Sequence, residues 1–356
     1  ESDQILTAAH QALADLLHAP APEEIIFGAN MTTLTFHFTR ALSRTLRPGD
    51  EIVVTRMDHD ANVSPWVLAA RDGGAVVRFA DVHPEDCTLD MEGLRKLLNP
   101  RTRWLALACA SNAVGTINDV HTIARWAHDA GARVFLDAVH YAPHGPLDVQ
   151  DWDCDALVCS AYKFFGPHVG VLWARRSLLE ELHAYKVRPA PDTLPDRWMT
   201  GTQNHEGLAG VVAAVNYLAA LPQTVAAKDW FRGMAPRARD LHAGMVVLQQ
   251  YEAMLAERLL EALAKRPRFK VWGITDRRRL AERVPTISIT MEGRTVAEIA
   301  EHLAARQIYA WHGNMYALEL TERLGLEERG GFLRLGLVHY NTAEEIDGLI
   351  QALDAF

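Results

Sequence analysis

The sequence predicts an α/β protein, a mostly parallel seven-stranded sheet followed by a smaller C-terminal α+β domain. Three observations carry that reading. Short apolar or β-branched runs recur through the first half of the chain and alternate with segments of helical spacing. The runs are apolar almost throughout, as strands are when helices cover both faces of a parallel sheet. Beyond residue 265 a second, shorter set of strands and helices begins.

Residues 1–18 read as an amphipathic helix. Strands are expected at 24–27, 51–55, 75–79, 104–109, 134–136 and 156–159, with helical spacing at 34–46, 91–98 and 121–130. The run 170–174 follows too soon for a helical crossover, so it is expected to be antiparallel. Residues 205–265 are helix-rich. Strands at 269–272, 286–290 and 332–336, with helices at 296–306 and 343–356, then make an α+β unit of about 110 residues. The expected division is 1–235 and 236–356.

The chain has 356 residues, 49% hydrophobic and 23% charged, which is ordinary for a globular protein. Its net charge of -9, with no basic stripe, argues against a nucleic-acid partner. No apolar run reaches the ~18–20 residues a membrane span needs. Cys87, Cys109, Cys154 and Cys159 form neither a CxxC pair nor a zinc-ligand spacing, so no metal site is expected. A reducing cytoplasm is the simplest setting for them. The sequence opens at Glu1 inside a predicted helix without an initiator Met, which leaves room for a signal peptide or another segment ahead of it.

In open α/β sheets, ligands bind beyond the carboxyl ends of the strands. Polar residues follow five of the expected strands: Asn30-Met31-Thr32, Asp58-His59-Asp60, Ser111-Asn112, Asp137 through His140, and Ser160 through Lys163. Lys163 follows an apolar strand, where desolvation favours a neutral amine suited to Schiff-base chemistry. Its structural alternative is a solvated loop lysine. Asp137 ends a buried strand, where a carboxylate is costly without a cation. A pyridinium nitrogen would be such a cation, and the pair points to pyridoxal phosphate. The alternative for Asp137 is an N-cap. Residues 28–33 open a helix, whose N-terminus suits a phosphate as well as an ordinary cap. Arg334 lies in an apolar strand, where it serves either a ligand carboxylate or an internal salt bridge.

These stretches, with Gly201-Thr202-Gln203-Asn204 and Arg334 through Thr342, resemble the cysteine desulfurase branch of the class V aminotransferases. The resemblance runs through nearly the whole chain in the family's order. It implies a fold-type-I pyridoxal-phosphate enzyme and a homodimer with shared active sites, acting on a small amino acid. By the resemblance, Lys163 holds the cofactor and moves protons, Asp137 binds the pyridine nitrogen, and His59 stacks on the ring. Asn112 lies near the cofactor oxygen or the substrate carboxylate, and His140 beside the phenolic oxygen. Ser160 and the turn Asn30, Met31, Thr32 bind phosphate, Thr202 reaches the neighbouring subunit's phosphate, and Arg334 grips the substrate carboxylate.

Three departures qualify the resemblance. The loop where desulfurases carry a nucleophilic Cys reads Trp311-His312-Gly313-Asn314-Met315-Tyr316. His140 replaces the usual Gln, and Tyr162 the usual His before the lysine. The family's N-terminal segment, which often lines the active site, is also missing from the sequence. Without a loop thiolate, the expectation is proton removal by Lys163 and β-elimination, for example from a cysteine S-conjugate. Aminotransfer and epimerisation use the same residues. His140, Tyr162, His312 and Tyr316 are either acids for a leaving group or structural. A non-catalytic scaffold would need neither Lys163 nor Asp137. A desulfurase using one of the four cysteines is the third reading.

Overall fold

The computed structural model describes residues 2–222 and 231–356. Its large sheet contains β1 (Ile25–Gly28), β2 (Glu51–Thr55), β3 (Val76–Ala80), β6 (Thr102–Ala108), β7 (Arg133–Asp137), β8 (Ala156–Ser160) and β9 (Gly170–Ala174), with a separate two-stranded hairpin β4 (Val82–His83) and β5 (Thr88–Leu89) between them in sequence. The order across the sheet is β1-β9-β8-β7-β6-β2-β3. Strands β2, β3, β6, β7 and β8 pair in parallel, and β9 runs antiparallel to both β8 and β1. The chain from β8 to β9 is too short for a crossover, and the antiparallel pairing follows. The hairpin was not among the expected strands; two-residue strands carry no alternation to read.

Strands β2, β8 and β9 are buried at every residue, as the continuous apolar runs require. Helices cover both faces. The helix Met31–Ser43 packs Phe38 against Trp66, Trp104 and Phe135, tying its face to two strands and to the helix Ser64–Gly73. That helix starts three residues earlier than the spacing predicts. Asn30 caps it by accepting from the Thr33 N–H at 2.9 Å, and a polar Met-Thr-Thr first turn carries too little apolar signal to be read as helix.

The C-terminal region has an antiparallel sheet of order β10-β11-β13-β12, from β10 (Phe269–Trp272), β11 (Thr286–Met291), β12 (Trp311–Gly313) and β13 (Phe332–Gly336). Helices Val296–Ala304 and Ala343–Asp354 pack on it through Ile299, Leu303, Ile346 and Leu353. The helix Pro236–Ala264 joins two cores: Leu241, Met245 and Leu248 belong to the first, and Leu255, Leu259 and Leu263 to the second. Strand β12 corrects the reading of 311–316 as loop. Its three residues lie on the sheet edge with Trp311 opposite Arg334, and only that pairing defines them as strand.

Candidate active site

A cavity of about 740 Å³ opens where the carboxyl ends of the large sheet meet the small sheet. The large sheet contributes His59, Asn112, Asp137, His140 and Lys163; the C-terminal region contributes Thr286, Trp311, Tyr316 and Arg334. Met31 and Thr32 close the end formed by the first turn of their helix.

Asp137 ends β7 in the middle of the sheet and is 5% exposed. One carboxylate oxygen, Oδ1, accepts from the Val139 N–H at 2.8 Å. Among the described residues the other oxygen makes no hydrogen bond. The turn-capping alternative is therefore true of one oxygen, and the second is left for a ligand. Burial pushes the carboxyl up to about 6, against the pull of the Val139 N–H and the Lys163 ammonium.

Lys163 sits in the short 3-10 turn Ala161–Phe164 after β8. Its amine stands 5.1 Å from the Tyr162 ring centroid and makes no hydrogen bond or ion pair among the described residues. The side chain is open to the cavity, so its desolvation is partial. That desolvation, first, and then the Arg334 charge lower its pKa, while Asp137 opposes them.

His59 accepts at Nδ1 from the Ala61 N–H at 2.9 Å, which fixes the neutral tautomer with its proton on Nε2. Burial and the charge of Lys163 bring its pKa down to about 4. Asp58 underpins it: it accepts at Oδ1 from the Ala108 N–H at 2.7 Å, and burial raises its carboxyl well above the ordinary range. The His59 ring lies nearly parallel to Tyr316, with centroids 5.3 Å apart.

The turn carrying Tyr316 is pinned to the large sheet. Asn112 Nδ2 donates to the Met315 carbonyl at 2.7 Å, and the Asp60 N–H donates to the Tyr316 carbonyl at 2.7 Å. Arg56 and Arg323 add ion pairs to Glu319 and Asp81 beside it. Met315 and Tyr316 are both left-handed, at φ 56° and 57°, which is unusual for side-chain-bearing residues. Asn112 Oδ1 is buried and unpartnered, and such an atom is costly unless something outside the chain satisfies it.

Arg334 donates from Nη1 to the Asn112 carbonyl at 2.8 Å and forms no ion pair among the described residues. Desolvation lowers its pKa. His140 exchanges a hydrogen bond with Thr286 Oγ1 at 2.8 Å, and burial drives its pKa well down.

Not every residue singled out from the sequence reaches the cavity. Asn30 caps the helix through Oδ1, which accepts from the Thr33 N–H and hydroxyl, and it is not among the lining residues. Ser160 is fully buried and accepts from the Met31 N–H at 3.0 Å, so it braces the turn from behind. Thr202 is exposed on the segment before the helix His205–Ala219 and lies outside the lining. His312 is exposed and lies outside it too, whereas Tyr162 and Tyr316 line it. Thr286 and His144 line it without having been picked out, and Trp311 and Tyr340 line it from stretches quoted only for the resemblance. His144 lies four residues beyond His140, and Thr286 stands in no stretch that the resemblance used.

A helix N-terminus, an amine, a carboxylate with one free oxygen and an orphaned amide oxygen fit pyridoxal phosphate. Gly170 permits the approach of the Asn30 turn, since a Cβ there would lie 2.3 Å from the Asn30 carbonyl carbon. The fold and site define the class of α/β enzymes built to hold this cofactor.

The sequence model of the aminotransferase class-V family matches residues 1–229 and 236–349. The chain is 32% identical to the aminotransferase-like protein FGM3 of Gibberella zeae, over 99% of this chain and 83% of that one. It is 31% identical to a cysteine desulfurase of Pectobacterium atrosepticum, over 99% and 82%. Superposed on the cysteine desulfurase CsdA of Escherichia coli it gives a TM-score of 0.85 at 28% identity, over 99% and 84%. The chain belongs to the class V aminotransferase family, on its cysteine desulfurase-like side, and pyridoxal phosphate is that family's cofactor.

Proposed function

We propose that this chain is a pyridoxal-phosphate-dependent β-eliminating enzyme acting on a small amino acid, such as an S-substituted cysteine, without a catalytic cysteine. One observation carries the reading. The amine of Lys163, the free oxygen of Asp137 and the guanidinium of Arg334, which has no ion pair among the described residues, share one cavity that no thiol lines. All four cysteines are buried elsewhere, and burial raises their thiols, Cys87 to about 11.

Bound pyridoxal phosphate supplies the electron sink that makes the substrate α-proton removable. Asp137 Oδ2 would hold the ring-nitrogen proton, and His59 would face the ring. The Met31–Thr32 turn, braced by Ser160 and Asn30, would receive the phosphate. Arg334 binds the substrate carboxylate through its fork, aimed by Asn112. Lys163 Nζ takes the α-proton. On this reading residues 1–235 form the cofactor domain and 236–356 the domain that brings Arg334. The enzyme is a cytoplasmic homodimer in which Thr202 serves the neighbouring subunit's phosphate.

The test is a substrate screen of the holoenzyme that follows pyruvate, ammonia, sulfide and keto-acid release together. Pyruvate and ammonia in equal amounts from S-substituted cysteines are the expected result. Keto acid formed only with an amino acceptor would replace the proposal with aminotransfer.

A further inference from the structure

His144 and Glu252 form a buried pair that the reading above does not use. His144 follows β7 by seven residues and lines the cavity. Its Nδ1 lies 2.7 Å from Glu252 Oε2, and the two side chains are 5% and 1% exposed. Glu252 comes from the helix Pro236–Ala264, far away in sequence. Burial pushes its carboxyl up, and the His144 hydrogen bond pulls the other way. Its second oxygen meets no donor in hydrogen-bonding geometry, although the His339 backbone N–H stabilises its charge in the same sense.

A staple between loop and helix would not require this chemistry. A buried carboxylate is costly, and an amide or an apolar pair would hold the two elements at lower cost. What a carboxylate on Nδ1 does is fix the imidazole's tautomer and orientation and stabilise its charged form. With Nδ1 taken, Nε2 is the nitrogen left for the cavity. The neighbouring His140, 5.5 Å away between ring centroids, has its own Nε2 tied to Thr286. Lys163 is already engaged at the α-proton.

We propose that His144, oriented by Glu252, is the general acid that protonates the departing group in β-elimination. The inference rests on the eliminating reading of the same cavity. The α-proton goes to Lys163 Nζ, and the C–H electron pair becomes the Cα–Cβ double bond. The Cβ–S bond breaks with its pair on sulfur, and the proton on His144 Nε2 passes to that sulfur to give a thiol. The released aminoacrylate is hydrolysed by water to pyruvate and ammonia. His144 is left neutral, keeping its Nδ1–H and donating it in a hydrogen bond to Glu252; Lys163 releases the α-proton to solvent, and solvent returns a proton to Nε2. No oxidant or reductant is needed. Glu252 is a positioning residue.

The experiment compares wild-type holoenzyme with His144→Gln and Glu252→Gln on a leaving-group series: S-alkyl cysteine, S-nitrophenyl cysteine and 3-chloroalanine. Chloride leaves without a proton and an alkanethiolate leaves poorly without one. In His144→Gln, kcat for S-alkyl cysteine should fall about 10²–10⁴-fold more than kcat for 3-chloroalanine, the range for a lost general acid. Glu252→Gln should show the same trend more weakly, and KM should move little in both. An equal loss across the series, or no loss, overturns the assignment and leaves a structural staple. If His144→Gln does not fold, the nearly isosteric Glu252→Gln decides by the same ratio. Wild type that yields no pyruvate even from 3-chloroalanine overturns the eliminating reading itself, and the assignment with it.

Discussion

Arg334 reaches across from the small sheet to donate to the Asn112 carbonyl at 2.8 Å, while the Asn112 side chain donates to the Met315 carbonyl at 2.7 Å. One residue of the large-sheet rim thus positions both the guanidinium and the turn that carries Tyr316. The guanidinium has a neutral partner and no counter-ion among the described residues, so its charge is available to an anion entering the cavity.

Replacing Arg334 by Lys keeps the charge and loses the fork. The variant is expected to bind substrate about 1–3 kcal/mol more weakly, roughly five- to 150-fold in the dissociation constant. Titration with amino acids and their decarboxylated amines checks it: the amines should not distinguish the variant from wild type. An equal loss for both would place carboxylate binding elsewhere.

Lys163 is expected to carry the cofactor. Borohydride reduction of the yellow holoenzyme should fix the label to the peptide containing Lys163, and Lys163→Ala should leave the cofactor removable by dialysis. Recovery of the label on another lysine would refute the assignment.

Asp137 should cost the cofactor-free protein stability at neutral pH and be required for activity once the cofactor is bound. Its folded pKa of about 6 lies above the ordinary carboxylate value, so the folded chain favours the protonated form. The stability this contributes is present below about pH 4 and is lost as pH rises through about 6. Cofactor-free Asp137→Asn should therefore be more stable than wild type at pH 7.5, by about 3 kcal/mol at most, with the advantage gone near pH 4. Denaturant melts at the two pH values measure this. In the holoenzyme the same change should remove most activity, because an amide cannot retain the pyridinium proton.

Gly170→Ala should weaken cofactor retention. The added methyl meets the Asn30 backbone at 2.3–2.6 Å and forces the turn at the start of the Met31–Ser43 helix off its position. A stability cost of about 1–3 kcal/mol is expected, together with faster loss of the cofactor on gel filtration. A variant that retains it as wild type does would show that the turn has slack.

The cysteines should be silent. All four are buried, so alkylation without denaturation is expected to be slow and to leave the main activity largely intact. Incubation with free cysteine should give negligible persulfide on the protein. A robust persulfide on Cys87, Cys109, Cys154 or Cys159, formed as fast as turnover, would restore the desulfurase reading.

By itself the sequence determined the strand and helix alternation, the antiparallel β9 and the rim on which Asp137, His59 and Lys163 stand. Those features are local: period, apolar continuity and the polar residue that follows each strand are written in consecutive residues. The tertiary structure alone decided which of the chosen residues face the cavity. Asn30 and Ser160 have the right chemistry, yet neither lines the cavity; Ser160 meets Met31 across 129 residues, and spacing does not reveal hydrogen bonds formed between distant segments. It also decided the short edge strand Trp311–Gly313, which exists only because Arg334's strand lies beside it. The His144–Glu252 pair is the extreme case, since its two halves are 108 residues apart and meet only once the long helix packs across the large sheet's core.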